Sequence, residues 1–144
     1  EPPMNLFEGQ LVEDRGPAAR EATLAVAGEG WRTPLSPRIA ARLRGAERDV
    51  VVGARPEHMR LGTIDGPATD RALAGRVFFR EPRGDVDVVL VRLDRPPGRD
   101  LVTVELPAGT EWKENDAVEI RLPATELHVF DAQSGRNLLA AHAA

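Results

Sequence analysis

A chain of 144 residues, 42 % hydrophobic and 29 % charged, has the length for one compact domain, or two small ones sharing a core, and the charge for a folded, solvated surface. A formal net charge of −4, with Arg and Glu interspersed, argues against a nucleic-acid footprint, and the absence of cysteine excludes disulfides, thiolate catalysis and Cys-ligated metals. The longest apolar stretch, Val86 to Leu93, is broken by Asp87 and Arg92 and is too short to cross a bilayer; no basic segment followed by an apolar one opens the chain, so no signal peptide is expected.

Thirteen glycines and 12 prolines fall mostly between short apolar runs, the signature of an all-β sandwich or barrel. With 4 % aromatics, aliphatic side chains must fill the interior. In chain order, Asn5 to Val12 is the first strand: Phe7 and Leu11 share its apolar face with Gly9 between them, against Glu8 and Gln10. Asp14 to Pro17 is a turn. Ala22, Leu24 and Val26 alternate with Glu21 and Thr23, and Gly28-Glu29-Gly30 leads into a short strand, so Arg20–Val26 and Trp31–Thr33 form a hairpin. Ser36 to Gly45 is the one helix, with Ser36 as N-cap, Pro37 in the first helical position, Ile39 and Leu43 on one face and Gly45 at the stop. Asp49 to Gly53 is an apolar strand, continued by Met59 and Leu61 beyond Arg55-Pro56-Glu57-His58, and Gly62 to Asp70 is a polar connection.

The second half is more regular. Arg71 to Arg80 is a strand with a bulge or bend at Gly75. Pro82-Arg83-Gly84-Asp85 turns the chain into Asp85 to Leu93, the longest strand, with Val86, Val88 and Leu90 on one face and Asp85 and Asp87 on the other, facing solvent. A proline-glycine loop spans Arg95 to Arg99. Val102, Val104 and Leu106 mark the next strand, Pro107-Ala108-Gly109 a turn, and Val118, Ile120 and Leu122 another strand. Leu127 to Phe130 is the last strand, Asp131 to Arg136 a turn, and the tail from Leu139 to Ala144 frays.

Few residues invite chemistry. Phosphate-loop ATP hydrolysis needs a glycine-rich loop ending in Gly-Lys-Ser/Thr. The single lysine, Lys113, lies in Glu111-Trp112-Lys113-Glu114 with no such loop before it, so this segment cannot hydrolyse ATP by that route. His58, His128 and His142 lack the close pairing of a zinc site and read as surface or half-buried histidines. Glu111, Glu114, Asp116 and Glu119 are carboxylates of the kind that run acid–base chemistry or hold calcium, but Asn115-Asp116 reads as the turn before a strand. Arg38, Arg42, Arg44 and Arg48 form a solvated helix face without the interleaved aromatics of a nucleic-acid binder. Trp31 and Trp112 suit strand-end anchors more than sugar-stacking platforms. There is no Gly-x-Ser-x-Gly elbow, and Ser36 and Ser134 serve as cap and turn residues. No catalytic, cofactor or metal residue is expected, and the chain is expected not to be an enzyme.

Four ordered segments carry a resemblance. Val52-Gly53-Ala54-Arg55-Pro56-Glu57-His58 resembles the Gly-x-Arg-Pro-Glu-His motif in the C-terminal part of sugar-importer ABC ATPases of the maltose-importer type. Pro3-Met4-Asn5-Leu6-Phe7 is similar to the Pro-x-Met-Asn-Phe that follows their ATPase domain. Gly75-Arg76-Val77 with Glu81 and Gly84-Asp85 is similar to their Gly-x-Val, Glu, Leu-Gly pattern. Phe130-Asp131 with Ser134-Gly135 and Leu138 resembles their closing Phe-Asp-x-x-Thr-Gly-x-x-Leu. The four segments span residues 3 to 138.

The resemblance implies an all-β fold: one or more oligonucleotide/oligosaccharide-binding-like (OB-like) barrels of the transport-associated kind, with one short helix. The whole of residues 1–144 would form one such regulatory domain of an ABC importer for carbohydrates. It implies as partners a second copy of the same subunit, the ATPase domain of that subunit and, indirectly, the membrane permease subunits; in some relatives regulatory proteins also dock. It places the domain in the cytoplasm, at the inner face of the membrane, without a cofactor or nucleic acid. The motif residues Gly53, Arg55, Pro56, Glu57, Glu81, Gly84, Phe130, Asp131 and Gly135 are the candidate contacts. For Arg55-Pro56-Glu57 a structural corner, pinned by an Arg–Glu pair, stands beside a direct contact with a ligand or partner. One departure is Arg83, where the family has Leu before the glycine. A second function stays open: a small-ligand module for an oxyanion or sugar, since Arg71 to Val77 faintly resembles a molybdate-binding segment, though without its polar Ser and Asn.

Overall fold

Ten strands, one α-helix and one turn of 3-10 helix make up the described residues of a computed structural model, namely 4–14, 23–43, 49–64, 73–94, 100–123 and 125–139. The first sheet contains β1 (Asn5–Asp14), β2 (Thr23–Gly28), β3 (Trp31–Pro34), β4 (Asp49–Ala54) and β10 (His128–Asp131), in the order β10-β4-β1-β2-β3. The second contains β5 (Arg60–Gly62), β6 (Leu73–Pro82), β7 (Val86–Leu93), β8 (Leu101–Pro107) and β9 (Ala117–Arg121), in the order β5-β9-β6-β7-β8. The pairings are antiparallel. The edge strands β5 and β8 approach one another, which draws the second sheet towards a closed barrel. The all-β expectation holds, with one short helix.

The expected alternations place the core. Phe7 and Leu11 of β1, Val26 of β2 and Val52 of β4 are buried in one cluster with Val77, Val91, Val104 and Ile120 of the second sheet. The two sheets thus share a single aliphatic interior. Gly9 sits on that face as expected: a Cβ there would press on Val26 Cγ1, the Ala27 carbonyl and the Trp31 ring, so glycine leaves room for the indole. Helix α1 (Pro37–Arg42) begins as its sequence dictates. Ser36 Oγ accepts from the Ile39 N–H at 3.3 Å, Pro37 fills a position whose N–H has no partner, and Ile39 and Leu43 are buried. The proposed stop at Gly45 lies outside the described residues. So do 15–17 of the first turn, 20–22 of the expected hairpin strand, 65–70 of the polar connection, 71–72 at the start of the expected Arg71–Arg80 strand, the Arg95–Arg99 loop, Arg44, Arg48, His142 and most of the tail.

Three expectations are corrected. Met59 and Leu61 do not prolong β4. Pro56 has no N–H for a strand ladder and a fixed φ, and the chain turns there through a single 3-10 helix, Pro56–His58, held by His58 N–H to Arg55 O at 3.0 Å and Met59 N–H to Pro56 O at 3.3 Å. Arg60–Gly62 then joins the other sheet beside β9. The irregularity in β6 is not at Gly75, which pairs regularly with Leu93 and Val118, but between Val77 and Phe79. Gly75 instead permits close approach of β7, because a Cβ would strike the Arg92 carbonyl. In β7 the inward face carries Val89, Val91 and Leu93 together with Asp87, which is 2 % exposed and not solvated; Val86 and Leu90 are only half-buried. Consecutive apolar residues from Val88 to Val91 hide the parity of the strand, so alternation alone gave the wrong face.

Candidate functional site

Three of the four motif segments meet on β4. Gly53 pairs with Leu6 of β1 on one side and His128 of β10 on the other. A Cβ on Gly53 would collide with Met4 Sδ and lie 3.2 Å from Phe130 Cε2, so the glycine is the seat for a Met and a Phe that arrive from distant parts of the chain. Beside it, Asn5 joins the two sheets. Its Nδ2 donates to Thr103 O at 2.8 Å, and its Oδ1 accepts from Thr103 N–H at 2.9 Å. One side-chain amide thus stands in for a neighbouring strand along the edge of β8.

At the corner after β4, Arg55 is extended and Pro56 is buried. Glu57 is exposed, and Pro56 with the two backbone bonds of the 3-10 turn shapes the corner. His58 Nε2 lies 3.0 Å from Glu126 Oε2, while His58 Nδ1 is buried without a hydrogen-bond partner. The closing motif forms a tight turn. Asp131 Oδ2 accepts from Ser134 N–H at 2.9 Å and Ser134 Oγ at 2.6 Å, and Gly135, at φ 75°, takes the left-handed conformation the turn requires. These bonds, the Ser134 hydroxyl foremost, hold the Asp131 carboxyl below the usual carboxylate range.

The remaining motif forms the β6–β7 hairpin of the second sheet. Gly84 turns at φ 91°, and Arg83 donates through Nε and Nη2 to Glu81 Oε1 at 3.2 and 3.0 Å. The Arg that replaces the family's Leu is thus tied to the motif's own Glu. Behind the hairpin lies a residue the sequence reading placed in solvent. Asp87 Oδ2 accepts from Gly109 N–H at 3.1 Å, Thr110 N–H at 3.0 Å and Arg80 Nη1 at 3.3 Å. These three donors are what allow a carboxylate inside the sheet.

The outward face of the second sheet is graded. Pairing sets Glu81, Val88 and Glu105 in one row, Phe79, Leu90 and Thr103 in the next, and Arg76, Arg92 and Leu101 in a third. Phe78, extruded at the irregularity, lies 4.5 Å beneath the Arg92 guanidinium. Phe78, Phe79 and Leu101 are 46, 45 and 38 % exposed. The face therefore runs from acidic through aromatic to basic, with Glu81 partly offset by Arg83 at 3.0 Å and Arg92 by Asp100 at 3.8 Å.

The other candidates take structural places. Asn115, at φ 70°, and Asp116, which accepts from Lys113 N–H at 2.8 Å, form the expected turn before β9. Among the described residues no three His, Asp or Glu side chains gather as metal ligands. Trp31 is buried and Trp112 packs partly buried against the core.

Comparison with known proteins matches this architecture. Residues 1–59 match the model of the MalK OB fold domain, and residues 52–130 match the TOBE domain. The chain is 35 % identical over 136 residues to the sn-glycerol-3-phosphate import ATP-binding protein UgpC of Paraburkholderia xenovorans, covering 94 % of this chain and 34 % of that protein. It is 31 % identical over 145 residues to the sulfoquinovosyl glycerol transport ATP-binding protein SmoE of Agrobacterium fabrum, covering 94 % and 37 %. The chain thus spans about a third of the length of these relatives. Among solved structures, the cytoplasmic molybdate-binding protein ModG superposes with a TM-score of 0.60 at 18 % identity, over 87 % of this chain and 94 % of that one, a likeness of fold. With the TOBE model matching more than half its length, and a MalK-type OB segment preceding and overlapping that match, the chain belongs to the TOBE domain family.

Proposed function

We propose that this chain is a non-catalytic regulatory domain from the ATP-binding subunit of a carbohydrate-type ABC importer, and that it holds two such subunits together. The similarity to import ATP-binding proteins along 94 % of the chain supports the first part. The graded outer face of the second sheet carries the second. A two-fold interface must be complementary to itself. An axis through the Phe79–Leu90–Thr103 row sets Glu81 and Glu105 of one copy against Arg76 and Arg92 of the other, with the exposed rings of Phe78 and Phe79 between them. Aromatic burial supplies the affinity, and the solvated charges at either end set the register. In the full subunit the domain would lie on the cytoplasmic side of the membrane, next to an ATPase domain that does the chemistry, and would reach the permease subunits only through it. The motif residues from Gly53 to Gly135 would keep this scaffold rigid, with the Glu81–Gly84 hairpin exposed to a regulatory protein.

Sedimentation equilibrium over a wide concentration range tests the dimer. We expect a monomer–dimer equilibrium that Phe79→Glu abolishes, since that side chain is exposed and its replacement leaves the core intact. A strict monomer into the millimolar range, or a dimer untouched by Phe79→Glu, would refute the assignment of this face.

A further inference from the structure

We infer that Arg83 weakens the self-association proposed above and governs its response to salt, a step that rests on that reading of the second sheet's outer face. The two ends of the face are not equally free to meet a second copy. At the acidic end, Arg83 holds Glu81 through two hydrogen bonds, Nε and Nη2 to Oε1 at 3.2 and 3.0 Å. At the basic end, Arg76 donates to an uncharged group, Asn115 O at 2.9 Å, and Arg92 lies 3.8 Å from Asp100. The Arg83–Glu81 contact joins residues two apart on one hairpin, so it forms without the loss of freedom that joining two molecules costs. It is therefore in place before a second copy arrives.

Attraction across the axis follows the net charge of each end. Glu81 and Glu105 share the acidic row, which the axis sets against Arg76 and Arg92 of the other copy. The Arg83 guanidinium offsets one of these two carboxylates. It engages only Oε1 of Glu81, but an arginine arriving at Oε2 from the other copy also approaches Arg83, and like charges repel. The turn does not need this side chain. Arg83 N–H donates to Val86 O at 2.8 Å and Gly84 supplies the φ of 91°, and Arg83→Ala keeps both. A leucine, the family's residue before this glycine, has no group with which to hold Glu81, so the restraint comes with the arginine of this chain.

Sedimentation equilibrium of the chain at low and high salt provides the test, with Phe79→Glu run alongside as the variant that removes the face. An exposed ion pair shifts an equilibrium by about twofold to fivefold, and the symmetry of a dimer applies that shift twice, so Arg83→Ala should dimerise about tenfold more tightly than the parent at low ionic strength. The gain should fade as salt approaches about 1 M, where charges are screened within about 3 Å. It should also vanish when Glu81→Gln is added to Arg83→Ala. A gain of equal size at every salt concentration, or one that survives Glu81→Gln, would overturn the inference, because the effect would not run through the charge of Glu81. Arg83→Ala dimerising as the parent does, with Phe79→Glu monomeric, would overturn it and leave the aromatic interface standing. No dimer from the parent or from Arg83→Ala at any concentration would remove the interface and the role of Arg83 with it.

Discussion

Replacing Asp87 by Ala takes away one oxygen atom that three donors share. The Gly109 and Thr110 amides lose their acceptor, while Arg80, whose side chain is 37 % exposed, keeps its bond to Thr110 O at 2.8 Å. A buried donor left unpaired costs roughly 1–3 kcal/mol, and an exposed cation losing its partner costs little. Taking the lower half of that range for two partly buried turn amides gives a loss of about 3 kcal/mol for Asp87→Ala. Asp87→Asn retains one acceptor oxygen, and about 1 kcal/mol is expected. In urea, with a slope of about 1.5 kcal/mol/M, the unfolding midpoint should fall by about 2 M for Ala and by less than about 1 M for Asn. A double-mutant cycle with Arg80→Ala should return a coupling of only about 0.5 kcal/mol, because most of the loss lies in the amides. An Ala variant within about 0.3 M of the parent midpoint, or Ala and Asn variants equally destabilised, would refute the view that this carboxylate holds the 107–110 turn on β7.

The two strand glycines should differ. A Cβ at Gly75 meets backbone, the Arg92 carbonyl, and Gly75→Ala should lower stability by about 3 kcal/mol, whereas at Gly53 it meets the flexible end of Met4, and Gly53→Ala should cost about 1 kcal/mol; equal shifts in thermal unfolding would refute the distinction. Asn5→Leu should cost about 2 kcal/mol and speed hydrogen exchange of the Thr103 amide, which an unchanged exchange rate would contradict. Because hydrogen bonds from Ser134 depress the Asp131 pKa in the folded chain, their stabilisation is present above the ordinary carboxylate pKa and is lost as pH falls through the lowered value. Ser134→Ala should move the NMR titration of Asp131 back up towards the ordinary range, and an unshifted titration would show that the hydroxyl is not the cause.

Local pattern made the strands and the helix start legible. Val102 and Val104, or Val118 and Ile120, are separated by single polar residues, so their inward direction follows from period two alone. Ser36-Pro37 marked the helix start because cap chemistry is local. The inward face of β7 was not legible, since its apolar run has no alternation and Asp87 is made tolerable only by amides more than 20 residues away. The same holds for Asn5, whose partner Thr103 is 98 positions distant, and for the outer-face grading, which depends on strand register. Arg55 and Glu57 could be read as a pair from sequence because they flank a proline, yet the 3-10 turn leaves Glu57 facing outward.

The position of β4 between β1 and β10 has a consequence for synthesis. The second sheet is assembled wholly from chain that emerges after β4 and before β10. Throughout that interval one margin of β4, the Val50–Gly53 side that will receive His128–Asp131, has no strand to pair with. A nascent chain halted there would offer an apolar, valine-rich ribbon to any neighbouring chain. The strand that covers this margin of the first sheet is therefore made only after all five strands of the second, and its Phe130 reaches Gly53 and Met4 only then.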